Sequence, residues 1–257
     1  MKKINITIAG ALGRMGKILI KRVSKNKNLK LISLTDIKSG KTINGIRIQK
    51  NNMEAFKKTD VIIDFSTPKA SLEILNYANK FKKKVVIGTT GFNSKQNNLI
   101  KNYSKKIAIF KSGNMSLGIN LLEYIVNILS KKIPNDYHIG INDDHHKKKV
   151  DYPSGTALML ANAVCKGKNK NLELIKGKTF LNKKGSLQKN KINFFITRKG
   201  NTIGKHSVLF NNKIENIELK HTAFSRELFA DGALNAAIWI SKKSKGLFNM
   251  QDMFGLK

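Results

Sequence analysis

The sequence predicts an α/β protein with an N-terminal Rossmann-type doubly wound parallel sheet and a smaller α+β C-terminal domain. Two observations predict this fold class. Over the first 112 residues, short apolar runs of strand length alternate with helical patterns, which is typical of βαβ units. After about residue 114 the pattern changes to one long helix and several strand-like runs with few helices between them, which favours a second, mostly antiparallel sheet.

Each half of the chain contributes its own predicted elements. In the first half the predicted strands cover residues 4–9, 29–34, 61–64, 84–87 and 107–110, with helices over 15–23 and after Pro68. In the second half we predict a helix over 117–129, a strand over 137–141, a helix from Ser154, strands over 192–197, 207–210 and 214–219, and a last helix over 225–241. We expect that last helix to return to the first domain, so that residues 1–115 and 226–257 form one domain and residues 116–225 form the other.

Composition excludes several classes of protein. With 257 residues, 40% of them hydrophobic, the chain can fill a core, so wholesale disorder is not expected. Its single cysteine, Cys165, rules out an intrachain disulfide, and no Cys/His spacing typical of zinc occurs, so we predict no metal site. No apolar segment has the pattern of a signal peptide or the length of a membrane span. We therefore expect a cytoplasmic protein with no membrane partner.

The net charge of +33 has two interpretations. It can indicate a protein that binds nucleic acid. It can also reflect coding bias, because lysine supplies 44 of the 49 basic residues and Lys, Asn and Ile, all abundant here, share A/T-rich codons. The lysines are spread along the whole chain, and aromatic residues do not alternate with them as a groove for single strands would require. We expect no specific nucleic-acid partner.

A glycine-rich loop joins the first predicted strand to the first helix. Residues 10–16 read G-A-L-G-R-M-G, a G-x-x-G-x-x-G variant of the dinucleotide fingerprint. Its glycines allow a tight turn, a close approach of backbone N–H groups to a pyrophosphate, and close packing of the helix. Asp36 ends the second strand, where a carboxylate can accept hydrogen bonds from an adenosine ribose. Together these features predict a dinucleotide site in the first domain.

Two further loops follow predicted strands at the same edge of the sheet. They span residues 88–92 and 111–115 and contain several small residues. Ligands of an open parallel sheet bind beyond the carboxyl ends of its strands. Small residues at that edge would admit a nicotinamide and its ribose, although either loop taken alone can be a plain turn.

Residues 143–157 carry two histidines and a lysine just before a helix. They read D-D-H-H-K-K-K-V-D-Y-P-S-G-T-A. Ser154 is a good N-cap, and the N–H groups of Gly155 and Thr156 can form an anion site that suits a carboxylate. Proton donors beside a carboxylate site indicate an enzyme that acts on a small acid. The alternative is a solvated basic loop.

This segment resembles the signature of the dihydrodipicolinate reductase family, E-x-H-H-x-x-K-x-D-x-P-S-G-T. The resemblance extends over nearly the full chain and includes residues 10–16, 64–68, 88–92, 114–118, 221–226 and 229–233. It implies reduction of 4-hydroxy-tetrahydrodipicolinate, a small dicarboxylate, to tetrahydrodipicolinate with NADH or NADPH, on the diaminopimelate route to lysine. It also implies a homotetramer built through the sheets of the second domain.

The resemblance assigns roles to individual residues. It implies that His145 and Lys149 exchange protons with the substrate and that His146, Gly155 and Thr156 bind it. The cofactor contacts that it implies are Gly10, Ala11, Leu12, Gly13, Arg14, Met15, Asp36, Gly88, Thr89, Thr90, Ser112, Gly113, Asn114 and Met115. The chain departs from the family at Asp143, which is one methylene shorter than the usual Glu. It also departs at Ile37, where some members have an arginine for the 2′-phosphate of NADP.

The choice of cofactor depends on opposing charges around Asp36. Its carboxylate accepts hydrogen bonds from ribose hydroxyls and repels an added phosphate, whereas Lys38, Lys41 and Arg14 can attract one. We expect use of both cofactors with a preference for NADH. Two other classes of function remain open: a different nicotinamide-dependent oxidoreductase of small acids, and a nucleic-acid-binding protein.

Overall fold

The computed structural model describes residues 2–256, which divide into two compact units. The first unit contains the residues up to Ser116 and those from Arg226 onward, and the second unit is Leu117–Ser225. Each unit has its own sheet and its own hydrophobic core. Within residues 2–256, none of the helices combines the length and the apolar character needed to cross a membrane.

The first unit is a doubly wound α/β structure. Its strands are β1 (Ile4–Ala9), β2 (Leu29–Thr35), β3 (Thr42–Ile43), β4 (Ile46–Gln49), β5 (Val61–Asp64), β6 (Lys84–Ile87), β7 (Ala108–Lys111) and β13 (Gly246–Phe248). Its helices are α1 (Arg14–Ser24), α2 (Met53–Lys57), α3 (Pro68–Lys80), α4 (Ser94–Ser104), α8 (Glu227–Ile240) and α9 (Met250–Phe254). The strand order is β13-β7-β6-β5-β1-β2-β4-β3, and neighbouring strands are parallel except β3 with β4.

Helices on both faces bury the central strands, which explains their continuous apolar runs. Along β5, Val61 and Ile63 face a core shared with α1 and α8, whereas Ile62 faces a core shared with α3. Strand β1 pairs with both β2 and β5, so the order of the chain through the sheet reverses at β1. Ligands of such sheets bind at this reversal, beyond the carboxyl ends of the strands.

Helix α8 returns to the first unit and is fixed there by two contacts. Arg22 of α1 donates hydrogen bonds to both carboxylate oxygens of Asp231, at 2.7 and 2.8 Å. Gly232 lies so close to the loop after β7 that a Cβ on it would be 1.7 Å from the carbonyl oxygen of Met115. Glycine is therefore the residue that this close approach permits.

The second unit is a mixed sheet with its helices on one face. It contains α5 (Leu117–Lys132), β8 (His138–His145), α6 (Gly155–Lys168), α7 (Leu172–Ile175), β9 (Lys176–Leu181), β10 (Ile192–Arg198), β11 (Gly204–Asn211) and β12 (Asn216–Ala223). The strand order is β12-β11-β8-β10-β9, and α5 and α6 bury one face of this sheet.

The expectation of a mostly antiparallel second sheet is wrong. Strands β8, β10 and β9 are parallel to one another, and only the two pairings of β11 are antiparallel. For β8 and β9 the reason is α6, which follows β8 and carries the chain across the face of the sheet before β9. Residues 182–191 then return the chain, so that β10 runs parallel to β9. Such a crossover joins parallel strands, whereas hairpin turns join antiparallel ones.

Candidate active site

A cavity of about 760 Å³ lies beside the carboxyl end of β1 in the first unit. Its volume is within the range of small-molecule and cofactor sites. It is formed by the residues that follow β1, β2, β4 and β5, among them Gly10, Gly13, Asp36, Ile37, Lys38 and Lys50. Of the residues predicted to contact a cofactor, Gly10, Leu12, Gly13 and Asp36 line this cavity.

The glycine loop leaves space that side chains would fill. Gly10 has a φ of +78°, and a Cβ on it would lie 2.3 Å from the carbonyl oxygen of Phe65. A Cβ on Gly16 would lie 2.1 Å from the carbonyl oxygen of Gly10, so α1 packs directly against the loop. Gly13 caps α1 without a side chain, which leaves the first-turn N–H groups to an incoming anion. This cradle fits the pyrophosphate of a dinucleotide.

The carboxylate of Asp36 is held at the wall of the cavity by the backbone. Oδ2 accepts a hydrogen bond from the Leu12 N–H at 2.9 Å, and Oδ1 accepts one from the Lys38 N–H at 3.3 Å. Ile37 is largely exposed beside it. This arrangement presents a fixed acceptor where the ribose of a bound dinucleotide would lie.

Lys50 also lines the cavity, although sequence reasoning selected Lys41, which is not among its lining residues. Lys50 follows β4, the second strand of a hairpin that the sequence analysis missed. The signal was present, because Asn44 and Gly45 form the turn, both with positive φ, and Asn-Gly between apolar residues is typical of a two-residue hairpin.

A buried carboxylate joins the loop after β5 to the predicted cofactor loop after β6. Asp64 ends β5, and its oxygens accept hydrogen bonds from the hydroxyls of Ser66, Ser71 and Thr89. Burial raises the pKa of Asp64, and these hydroxyl donors only partly oppose that effect. Thr89 also accepts a hydrogen bond from the Ser66 N–H at 2.9 Å, which links the loops after β5 and β6.

Several predicted cofactor contacts lie at this edge of the sheet without lining the cavity. They are Ala11, Arg14, Met15, Gly88, Thr89, Thr90, Ser112, Gly113, Asn114 and Met115. Gly88 packs against the neighbouring loop, because a Cβ on it would lie 2.3 Å from the ring of Phe65. The loops after β6 and β7 are adjacent because these strands are parallel neighbours.

In the second unit, β8 extends to His145, four residues beyond its predicted end. Its last residues are polar, and they stay in the sheet because both neighbouring strands pair with them, His206 of β11 lying opposite Asp143. Asp143 and His145 are two residues apart on the strand, so their side chains share a face. The strand thus places an imidazole and a carboxylate side by side at its carboxyl end.

The Asp143 carboxylate is fully buried and has four donors around it. Oδ1 lies 2.9 Å from Nδ1 of His145 and 3.3 Å from Nε2 of His206. Oδ2 accepts hydrogen bonds from the Ser154 N–H at 2.7 Å and from Nη2 of Arg198 at 3.0 Å. Burial alone would raise the pKa of Asp143, but these donors outweigh it and hold the pKa far below its usual range. The shorter side chain at this position therefore still reaches His145.

Burial lowers the pKa of His145, and the charges of His206 and Lys149 act in the same direction, against the effect of Asp143. In the protein without a bound ligand, the imidazole of His145 is therefore neutral at neutral pH. Because Nδ1 faces an ionised carboxylate, it is the nitrogen that carries the proton, and Nε2 is left for exchange with a substrate. A Cβ on Gly204 would lie 3.3 Å from Nε2, so glycine there leaves room beside this atom.

Three side chains of this cluster are also of the types that bind metal ions. Donor atoms of Asp143, His145 and His206 lie within 4.8 Å of one another, a spacing that could hold a metal ion. Arg198 and the Ser154 N–H already bind the other carboxylate oxygen, and a guanidinium beside the site repels a cation. The arrangement therefore fits a hydrogen-bonded acid–base cluster better than a metal centre.

The N-terminus of α6 lies next to this cluster. Ser154 is its N-cap, since Oγ accepts a hydrogen bond from the Ala157 N–H at 3.2 Å, and the Ser154 N–H itself binds Asp143. A Cβ on Gly155 would meet no heavy atom within 4 Å, so the space around this first-turn residue is open. With no acidic residue in its first turn, the helix N-terminus can receive a carboxylate.

The remaining predicted substrate residues lie in the turn between β8 and α6. The ammonium of Lys149 donates to both carboxylate oxygens of Asp151, and the His146 N–H donates to the carbonyl oxygen of Thr202 at 2.8 Å. Arg198 ties this turn to the strand, because Nη2 binds both Asp143 and the carbonyl oxygen of Asp151.

Sequence reasoning missed Asp143 as the centre of this cluster, together with Arg198 and His206. Arg198 and His206 lie on strands more than 50 residues further along the chain than Asp143. Both residues lie just outside the strands predicted over 192–197 and 207–210, so the strand patterns did not single them out.

Comparisons with known proteins agree over both units. The family model described as dihydrodipicolinate reductase, N-terminus, matches residues 4–115, and the one described as dihydrodipicolinate reductase, C-terminus, matches residues 118–254. A 4-hydroxy-tetrahydrodipicolinate reductase from Pelagibacter ubique is 53% identical and covers 100% of both chains. One from Buchnera aphidicola is 45% identical over 98% of this chain and 97% of its own.

A solved structure is similar in fold. It is a dipicolinate-bound dihydrodipicolinate reductase from Paenisporosarcina, which aligns with a TM-score of 0.78 at 23% identity over 97% of this chain and 98% of its own.

Proposed function

The chain belongs to the dihydrodipicolinate reductase family, and we propose that it reduces 4-hydroxy-tetrahydrodipicolinate to tetrahydrodipicolinate with NADH or NADPH. It is an oxidoreductase, and the reaction is a step of the diaminopimelate route to lysine. One observation in the second unit carries the assignment of its residues. His145 and the open N-terminus of α6 both contact the same carboxylate, that of Asp143, so a proton donor and a carboxylate site are built as one group.

In this proposal, the first-turn N–H groups of α6 and the Thr156 hydroxyl bind one carboxylate of the substrate. The ammonium of Lys149 attracts the dicarboxylate, and His146 contacts it. A reduced nicotinamide, when bound, supplies the hydride. Loss of the 4-hydroxyl group as water gives an unsaturated ring, and the hydride adds to C4 of that ring. The adjacent C3 then needs one proton, which Nε2 of His145 delivers directly or through a water molecule, and Asp143 stabilises the protonated imidazole.

The free imidazole is neutral at neutral pH, so His145 must take up a proton before it can donate one. A bound dicarboxylate favours that uptake, because nearby negative charge stabilises the imidazolium. The proton then passes to the ring and is replaced from solvent.

The role of His145 is tested by His145→Ala. We expect kcat to fall by about 10²–10⁴-fold, the usual contribution of a general acid or base. Binding of NADH, followed by its fluorescence, should be unchanged, because the predicted cofactor residues all lie in the first unit. Near-normal turnover of the variant would remove His145 from the mechanism.

For the cofactor, we propose use of both NADH and NADPH with NADH preferred. The fixed carboxylate of Asp36 supports this preference, since it accepts from the ribose hydroxyls and repels a 2′-phosphate. Lys38 and Lys50, at the wall of the same cavity, supply the charge that still admits NADPH. Of the surface charges, only those near the 2′-phosphate affect the choice of cofactor, because salt screens charges that are more than about 8 Å away.

This preference is measured as kcat/KM for each cofactor at two salt concentrations. Asp36→Ala should weaken NADH use more than NADPH use, and Lys50→Met should weaken NADPH use alone. Lys41→Met is the matched control, because Lys41 does not line the cavity. A strong preference of the unmodified protein for NADPH at high salt would contradict the proposal.

We also propose that the chain acts in the cytoplasm as a homotetramer assembled through the sheet of its second unit. Helices α5 and α6 cover one face of that sheet, and the opposite face presents the stacked rings of Phe180 and Phe195, whose centroids are 5.3 Å apart. Light scattering on the purified protein tests the oligomeric state, and a monomer at micromolar concentration would contradict it.

A further inference from the structure

His206 has no role in the reaction proposed above, yet the sheet places it beside the acid–base cluster. It lies opposite Asp143 of β8 and opposite His221 of β12 in the strand register. Directly opposed residues of neighbouring strands project from the same face of a sheet. The side chain of His206 is therefore on the face that carries Asp143 and His145.

The contacts of His206 join the two parts of the site. Its Nε2 lies 3.3 Å from Oδ1 of Asp143 and 3.3 Å from Oγ of Ser154, the N-cap of α6. Its ring meets that of His145 edge-on, with centroids 5.0 Å apart and an interplanar angle of 70°. The side chain is almost completely buried, so solvent does not compete for these contacts.

The protons at these contacts follow from the charge of Asp143. An ionised carboxylate only accepts hydrogen bonds, so the ring nitrogens that face it, Nδ1 of His145 and Nε2 of His206, both carry protons. Both nitrogens lie within 3.3 Å of the single oxygen Oδ1, while Oδ2 accepts hydrogen bonds from Ser154 and Arg198. A change at one donor therefore alters how strongly the oxygen binds the other.

We infer that His206 is a positioning residue for His145: by sharing Oδ1 of Asp143 it sets how tightly that carboxylate holds the Nδ1 proton of His145, and by contacting Ser154 it keeps the same carboxylate aligned with the cap of α6. This inference rests on the proposed role of His145 in proton exchange. His206 itself touches neither substrate nor cofactor in it.

The charged groups around His145 fix the expected direction of change. Asp143 lies on its own strand, His206 on β11, Arg198 opposite it on β10, and Lys149 in the following turn. Removing the donor at position 206 frees Oδ1 for His145, which raises the pKa of His145. The charge of His206 also lowers that pKa, but a Gln variant lacks this charge as much as an Asn variant does, so a difference between the two reports the donor alone. His221, which faces position 206 from β12, remains in place.

Two variants of similar size and polarity separate positioning from packing. His206→Gln extends its amide nitrogen about as far as Nε2 of histidine, so it keeps a donor to Asp143. His206→Asn is too short to reach. In each protein, labelled with ¹⁵N-histidine and free of cofactor, NMR titration follows the ring of His145, identified among the five histidines by its loss in His145→Ala. Steady-state kcat and its pH profile are measured beside it.

We expect H206N to move the titration of His145 to higher pH and to lower kcat by about tenfold, the usual effect of losing a hydrogen bond to a charged group. H206Q loses the same charge but keeps the donor, so its His145 titration should lie between those of H206N and the unmodified protein, and its kcat should stay near the original value. Identical His145 titrations in all three proteins would overturn the inference, as would a Gln variant that behaves like the Asn variant. If H206N does not fold, His206→Leu, which fills the buried space without a donor, replaces it in the comparison.

The titration is independent of turnover, so it separates this inference from the proposed function. If His145→Ala retains activity while H206N still moves the titration, the proposed catalytic role fails and the coupling stands. A zinc titration of the unmodified protein tests the alternative. Stoichiometric zinc binding that H206N abolishes would make Asp143, His145 and His206 a metal site and would overturn the positioning role.

Discussion

Both carboxylate oxygens of Asp151 accept hydrogen bonds from Nζ of Lys149, at 2.7 and 2.8 Å. Burial alone would raise the pKa of Asp151, but the bonded ammonium outweighs it and lowers that pKa. Lys149 is the lysine to which the family resemblance assigns proton exchange, so its charge is held in place by a neighbour two residues along the turn. A dicarboxylate substrate that reaches this ammonium must share it with Asp151.

We predict that Asp151→Asn lowers kcat by about tenfold, because the lysine loses the partner that orients it. Lys149→Met should cost about 10²-fold or more, since it removes the charge and the proton donor together. The matched control is Lys148→Met, an exposed lysine of the same turn, which should leave kcat unchanged. Steady-state kinetics measures all three, and full activity of D151N would show that the ion pair does not serve the reaction.

Thr156→Val should weaken substrate binding by about 1–3 kcal/mol, which is measured as a higher KM, and should have a smaller effect on kcat. The substitution keeps the shape of the side chain and removes the hydroxyl proposed to bind a carboxylate, while the backbone N–H groups of α6 remain. Thr156→Ser retains the hydroxyl and should keep KM near its original value. A KM that is the same in the Val variant would place the carboxylate elsewhere.

The fold was most predictable where local pattern and burial agree. Strands β1, β5 and β6 have the bounds that their apolar runs predict, because helices cover both faces of the first sheet and bury most of each strand. Strand β9 was missed, because it lies at the edge of the second sheet and contains two lysines and only half-buried apolar residues. Pattern alone does not distinguish such a strand from a loop.

The site was predictable only where its residues are neighbours in sequence. His145, Lys149 and Ser154 lie in one short segment, so their chemistry could be predicted together. Arg198 and His206 reach the same carboxylate only because β10 and β11 flank β8 in the sheet. Local spacing carries no information on such pairings, and the four donors around Asp143 became apparent only in the folded chain.

Gly232→Ala should lower the free energy of unfolding by about 1–3 kcal/mol or more, the usual cost of overpacking. A Cβ at this position would lie 1.7 Å from the carbonyl oxygen of Met115, so the helix or the loop must shift. Gly113→Ala is the matched control, because the nearest atom to its Cβ would be 3.8 Å away, an ordinary contact. Urea denaturation compares the two, and equal stabilities would show that α8 does not approach the loop as closely.

The last prediction concerns the pH dependence of stability. Burial lowers the pKa values of His145 and His221 in the folded chain, whereas an unfolded histidine titrates near about 6.5. As the pH falls below that value, the unfolded chain binds protons that the folded chain does not, so the free energy of unfolding falls. The contribution of Asp143 is present above about pH 3.9 and is lost only below it, while Asp64, with its raised pKa, acts in the opposite direction.

Urea denaturation at pH 7.5, 6 and 5 (values chosen to bracket the histidine range of about 6.5) measures this slope. The unmodified protein should lose stability steadily from the highest to the lowest pH. His145→Asn removes one titrating ring and keeps a donor close to the place of Nδ1, beside Asp143. Its loss of stability should therefore be smaller over the same pH range. Asp143→Asn removes the carboxylate that opposes the lowering of the His145 pKa. The free energy of unfolding of this variant should therefore fall at least as steeply with falling pH as that of the unmodified protein. If His145→Asn and the unmodified protein lose stability equally, the buried imidazole of His145 is not the group that opposes protonation in the folded state.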